Sequence, residues 1–176
     1  RFLLLAVAGL GLGAGGCQSG SEVAPPEADD PELLHGAMLT LTEVMTYDIT
    51  SPPQAARVYA YASVAAHEAI APTRADLVSL AGQLRAFAAP PAPSDTVHGP
   101  TAAVVALLTV AEALTFSTED VVARRANVTA RLRARGLPRG LLTRSEAYGE
   151  AVAEHVLAWA ATDGDAETRS GPAYTV

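Results

Sequence analysis

The chain has 176 residues and a net charge of −7, with twelve arginines and no lysine against nineteen acids. Such a balance provides no basic face to neutralise a phosphate backbone, which excludes broad nucleic-acid binding. Hydrophobic residues make up 49% and aromatics 5%, so a core has to be built from Ala, Val and Leu; the single cysteine, Cys17, excludes an intrachain disulfide.

Residues 1–17 read as a lipoprotein-type signal peptide. Arg1 supplies one positive charge, an apolar run follows, and Ala14, Gly15 and Gly16 precede Cys17 as in a bacterial lipobox. Cys17 is thus the candidate lipid-attachment residue, which implies export and a membrane anchor facing the periplasm or the cell exterior. Residues 18–30 hold Gly, Ser, Pro and acids with little to bury, and read as a flexible linker to a helical domain over 31–176.

Asp30, Pro31 and Glu32 open the first helix with a cap, a proline and an acid at the positive dipole end. Leu34, Met38, Leu41 and Met45 form its apolar stripe, and it ends near Tyr47. Ser51 is placed to cap a second helix that begins at Pro52 and Pro53 and stops near Pro72. Its many alanines suit close helix packing, and the middle of a bundle is its expected place.

A third, shorter helix is expected over 75–87, followed by a loop rich in proline (Pro90, Pro91, Pro93) up to Gly99. The segment 100–115 is apolar on nearly every side, too short for a bilayer and interrupted by Glu112, which makes it a buried core helix. Ser117 with Asp120, and Thr143 with Glu146, resemble capping boxes that start two further helices. The first ends near Gly136; the second runs to about Ala161 with Tyr148, Val152, His155 and Trp159 on one stripe, and Gly164 stops it. About six helices and no strand make the chain all-α, a helical bundle.

Chemistry-bearing residues are few. His67 and Glu68 lack the second histidine one turn on that a zinc protease helix requires, since Ala71 stands there. His67 and His155 share stripes with apolar or small residues and read as packed, hydrogen-bonded histidines; His35 and His98 sit near helix ends without ligand-spaced partners. Asp48 and Arg57 are expected to pair across the elbow between the first two helices. Tyr59 and Tyr61 read as packing residues, and Arg57, Tyr61 and Glu68 project from one side of their helix. The residues alone assign no catalytic, cofactor-binding or metal position.

Leu41-Thr42, Val44-Met45, Asp48, Ser51-Pro52-Pro53, Ala55, Arg57, Tyr59-Ala60-Tyr61, Ala65-Ala66 and Glu68 form one block of a likeness. Tyr148-Gly149, Val152-Ala153, Trp159, Asp163, Thr168-Arg169 and Tyr174-Thr175 form a second. Together they resemble the N-terminal helical half of bacterial lipoproteins related to vanadium-dependent haloperoxidases, in the type 2 phosphatidic acid phosphatase (PAP2) superfamily. His67 departs from the pattern, since relatives tend to carry an aromatic there. The resemblance implies oxyanion chemistry: vanadate or a substrate phosphate held by Lys, Arg and backbone donors, with a histidine bound to the metal or attacking phosphorus. Its motifs, a Lys before Arg-Pro, a Pro-Ser-Gly-His and a Ser-Arg leading to a late His, have no counterpart in this chain.

The expectation is therefore a non-catalytic N-terminal portion, cut short at its C-terminal end. Its partner would be its own missing C-terminal half and vanadate would belong to the full-length protein. Two alternatives stay open, a fragment of a PAP2-type phosphatase without vanadium and a complete, non-catalytic periplasmic lipoprotein that binds a partner.

Overall fold

The structure is a computed structural model that describes residues 23–25, 28–169 and 171. Among them are six α-helices and no strand: α1 (Glu32–Tyr47), α2 (Pro52–Ile70), α3 (Gly99–Leu114), α4 (Glu119–Ala134), α5 (Arg139–Ala160) and α6 (Asp165–Arg169), with a 3-10 turn at Ala71–Thr73. The all-α bundle is as the sequence implies. Cys17 and the signal segment lie outside the described residues, as do Tyr174 and Thr175. No helix among the described residues is long and apolar enough to cross a membrane.

The centre of the bundle is α3, which packs against α1, α2, α4 and α5. Every residue from Thr101 to Leu108 is buried, as its all-round apolar pattern requires. This corrects the placing of α2 in the middle. That helix buries one face (Val58, Ala62, Ala65, Ala66, Glu68, Ala69) and leaves Ala56, Ala60 and Ser63 in solvent. Its alanines serve close approach on one side only. Against α3, Gly149 of α5 lies so near that an added Cβ would stand 2.5 Å from the Ala102 carbonyl oxygen.

Several helix limits differ from expectation for local reasons. The third expected helix, over 75–87, is irregular. The Glu68 carboxylate captures the Ser79 hydroxyl at 2.7 Å and the Leu80 N–H at 2.6 Å, while Gly82 and Ala86 take positive φ values of 74° and 57°. Ser51 occupies the cap position of α2 in an extended conformation, yet its side chain makes no cap bond. Pro53 at the second helical position has no N–H for it to accept, and the Gln54 N–H one position on donates no bond to it. Helix α4 begins at Glu119 with Thr118 at the cap, because the Ser117 N–H is turned towards Asp48. Helix α5 starts at Arg139, one turn before the expected Thr143, directly after Gly136-Leu137-Pro138.

The stripe of α1 also centres one residue earlier, on Leu33, Ala37, Leu41, Val44 and Met45. The end of the expected linker belongs to the fold: Ala28 is fully buried, and Asp30 pairs with Arg135 at 2.8 Å while its other oxygen accepts the Glu32 N–H at 3.0 Å.

Candidate functional site

The two blocks that carry the likeness meet in space where α2 faces the end of α5. Arg57 and Tyr61, one turn apart on α2, present to the same neighbour. The Arg57 Nε–H donates to Asp163 at 2.6 Å and its terminal N–H donates to the Ala160 carbonyl at 3.2 Å. Tyr61 donates to the same Asp163 oxygen at 2.9 Å, and Gln54 donates to Asp165 at 2.6 Å. Burial, and then the Asp163 carboxylate, push the Tyr61 hydroxyl up to about 12, so it acts as a donor throughout. Burial pushes Asp163 the other way from its donors, and Arg57, the Asp165 N–H and Tyr61 together hold it below the usual carboxylate range.

Aromatic packing completes this clamp. Trp159 stands edge-on to Tyr61 at 5.1 Å and tilted against Phe87 at 4.7 Å, and its indole N–H donates to the Arg85 carbonyl at 3.1 Å. Beside the clamp lies a groove of about 400 Å³ between the α1–α2 elbow, the α3–α4 loop and α6.

Asp48 and Arg57 both line that groove, but the pair expected between them does not form. The Asp48 carboxylate instead accepts the N–H groups of Phe116 (3.0 Å) and Ser117 (3.2 Å). The Ser117 side chain, followed by those two N–H groups, lowers its pKa against the effect of burial. The geometric reason is reach: the chain reverses at Ile49, which turns Asp48 to the α3–α4 loop while Arg57 faces α5. Sequence spacing carries no sign of a partner 106 residues away.

The histidines are hydrogen-bonded, though His67 and His155 lie half-buried on flanks of the bundle and not in the core. His67 donates to the Val78 carbonyl at 2.8 Å, and His155 to the Ala88 carbonyl at 3.0 Å, with the Phe87 ring edge-on at 5.6 Å. Both pin irregular chain between α2 and α3. His35 is exposed beside Glu32. Tyr59 donates to Thr42 at 2.7 Å and joins α2 to α1. Glu68 is only 3% exposed and separate from Arg57 and Tyr61. Its role in tying down the 78–81 segment was not visible, because a helix pattern does not show what an acid on its buried face will accept.

A second cavity, about 550 Å³, opens between the chain before α1, the 3-10 turn and the start of α3. Leu33, Leu34, Ile70 and Val104 supply its apolar wall, and His98 and Asp29 its polar edge. His98 is 5% exposed and occupies the cap of α3. Its Nδ1 accepts from the Thr101 hydroxyl at 2.7 Å and the Thr101 N–H at 3.3 Å; its Nε2–H donates to Asp29 at 3.0 Å. Burial lowers the pKa of the ring, against the hydrogen bond and charge of Asp29.

No protein-family model and no curated protein matches the chain. A solved structure does: that described as the first bacterial vanadium-dependent iodoperoxidase is 38% identical, with a TM-score of 0.77 over 83% of this chain. This chain spans about a third of that protein's length, 35%. The helical bundle thus resembles the vanadium-dependent haloperoxidase fold, as the two sequence blocks imply.

Vanadate is an oxyanion and needs converging cationic donors with a histidine nitrogen to ligate it. The described residues do not fit that demand. The cavity-lining arginines face carboxylates: Arg57 and Arg169 those of α6 and its approach, Arg74 that of Asp76, Arg144 that of Asp95. Each histidine is engaged by a carbonyl, a carboxylate or a helix N-terminus. Among the described residues no three His, Cys, Asp or Glu side chains group to hold a metal ion.

Proposed function

We propose that this chain is the supporting, non-catalytic helical portion of a vanadium-dependent haloperoxidase-like protein, whose oxyanion site is formed by polypeptide other than this bundle. The reading rests on one observation, the likeness to an iodoperoxidase of which the matched part of this chain covers 35%. The self-paired charges at the clamp agree with a scaffold that positions helices without binding the oxyanion itself. Its partner would be the remaining part of such a protein, packed against the apolar side chains exposed at the elbow end, Tyr47, Ile49 and Phe116.

The activity assigned to the whole protein is oxidation of halide by peroxide at bound vanadate. The test is an assay of the protein encoded by the complete gene, with iodide, peroxide and orthovanadate. Vanadate-dependent iodide oxidation is the expected result. Phosphoester hydrolysis inhibited by vanadate would replace this reading with a PAP2-type phosphatase, and neither activity would leave a non-catalytic lipoprotein that binds a partner.

We further propose export and lipid anchoring through Cys17, on the strength of the apolar run and small residues before it. Cys17→Ser should release the protein from membranes; unchanged retention would overturn the anchor.

A further inference from the structure

An N-cap is normally Ser, Thr, Asp or Asn, whose oxygens accept a backbone N–H at any physiological pH. The central helix α3 uses a histidine instead. Asp29 is an acceptor only, so the proton of the neutral ring sits on Nε2 and Nδ1 is left as the acceptor that caps Thr101. A proton added to this ring has one place to go, Nδ1, and there it converts the cap from acceptor to donor.

We propose that His98 is a proton-operated cap: neutral, it holds the first turn of α3; charged, it turns its bonding to Asp29 at the cavity edge and leaves the Thr101 N–H without an acceptor. Three features of the site oppose the charged ring. It is buried, it stands at the positive end of the α3 dipole, and the Thr101 N–H points at the atom that would carry the new proton. One feature favours it, the exposed Asp29 carboxylate, whose bond to Nε2 strengthens when the ring is charged.

The other charged groups around the cavity have partners of their own. Asp30 is held by Arg135 and Arg131, Arg74 by Asp76, and Arg144 of α5 by Asp95 and the Thr96 carbonyl. The walls from α1 and α2 (Leu33, Leu34, Ile70) are apolar, and the α5 group that meets the His98 backbone, Ser145, does not titrate. His98 is therefore the group that responds, with Asp29, whose charge also acts on Arg74, as its acceptor.

Because folding holds the ring's pKa below its ordinary value, the unfolded chain takes the proton first as pH falls. The stability this group contributes is complete above about pH 6.5 and declines below it.

The experiment is amide exchange and ring ¹⁵N NMR on the 176-residue chain. At neutral pH the His98 ring should show the Nε2–H tautomer. Between about pH 7.5 and pH 5, protection of the Thr101 amide should fall roughly fivefold beyond the intrinsic pH effect, the worth of one helix cap. In His98→Asn, whose amide oxygen caps without titrating, that loss should vanish; in Asp29→Asn the transition should move to lower pH. An Nδ1–H tautomer in the unmodified chain, or an unchanged loss of protection in His98→Asn, would overturn the proposal. Should His98→Asn not fold, the tautomer and the Asp29→Asn shift decide.

Discussion

Helices α1 and α4 end in the same backbone motif and are finished in opposite ways. At α4, Leu137 donates back to the Leu132 carbonyl and Gly136 to that of Arg133, with Gly136 at φ 84°. At α1, Thr50 donates to Met45 and Ile49 to Thr46, with Ile49 at φ 52°. Glycine takes the left-handed conformation freely; a β-branched residue there is strained. The α4 joint is also closed by burial, since Leu132 and Leu137 are 0% and 4% exposed, whereas Ile49 is 89% exposed. The α1 joint is held from outside by Asp48, which grips the α3–α4 loop. One joint is a sealed corner of the core. The other is strained, open and next to the groove at the clamp, the place where the proposed larger assembly continues.

Four substitutions sharpen this contrast. The largest loss is expected from Leu132→Ala, which removes the buried side chain that closes the α4 joint and should cost about 2–5 kcal/mol in denaturant unfolding. Gly149→Ala is next, because its methyl would press on the Ala102 carbonyl at the α3–α5 seam; about 1–3 kcal/mol is expected, read as a fall in Tm. Asp48→Ala strips two N–H groups of their acceptor at the open joint and should cost about 1–2 kcal/mol. Since folding depresses the Asp48 pKa, that contribution is complete above the usual carboxylate value and lost as pH falls through the folded one. The difference between parent and D48A should therefore close in acid. The smallest effect has the opposite sign: Ile49→Gly relieves the strain without uncovering any buried surface and should stabilise the chain by roughly 1 kcal/mol. A loss on that change would mean that Ile49 is packed and that the open joint is not open.

The same contrast explains what the sequence made legible. Gly136 announces a helix end, and the unbroken apolar run of 101–108 announces burial on every side, so α3 and the α4 stop could be read directly. Ile49 announces nothing, because no side-chain preference marks a strained left-handed residue. The Arg57–Asp163 clamp was half legible: both residues stood in the two blocks that resemble haloperoxidases, but their contact is set by how α5 returns past α2. The missing helix at 75–87 was hidden for a related reason. Its apolar spacing, Leu77, Leu80, Ala81 and Leu84, suits a helix, and what prevents one is Glu68, reaching from a different helix to bond Ser79 and Leu80. Local pattern gives the faces of elements; acceptors that arrive from elsewhere decide the joints.

The central claim is that the charges at the clamp serve one another and that the bundle supports, without itself holding, an oxyanion. ⁵¹V NMR of orthovanadate titrated with the 176-residue chain tests this directly. The free-vanadate resonance should keep its intensity and position as protein is added. A bound resonance growing in stoichiometrically, and abolished by Arg57→Ala, would contradict the account and move the oxyanion site into this bundle.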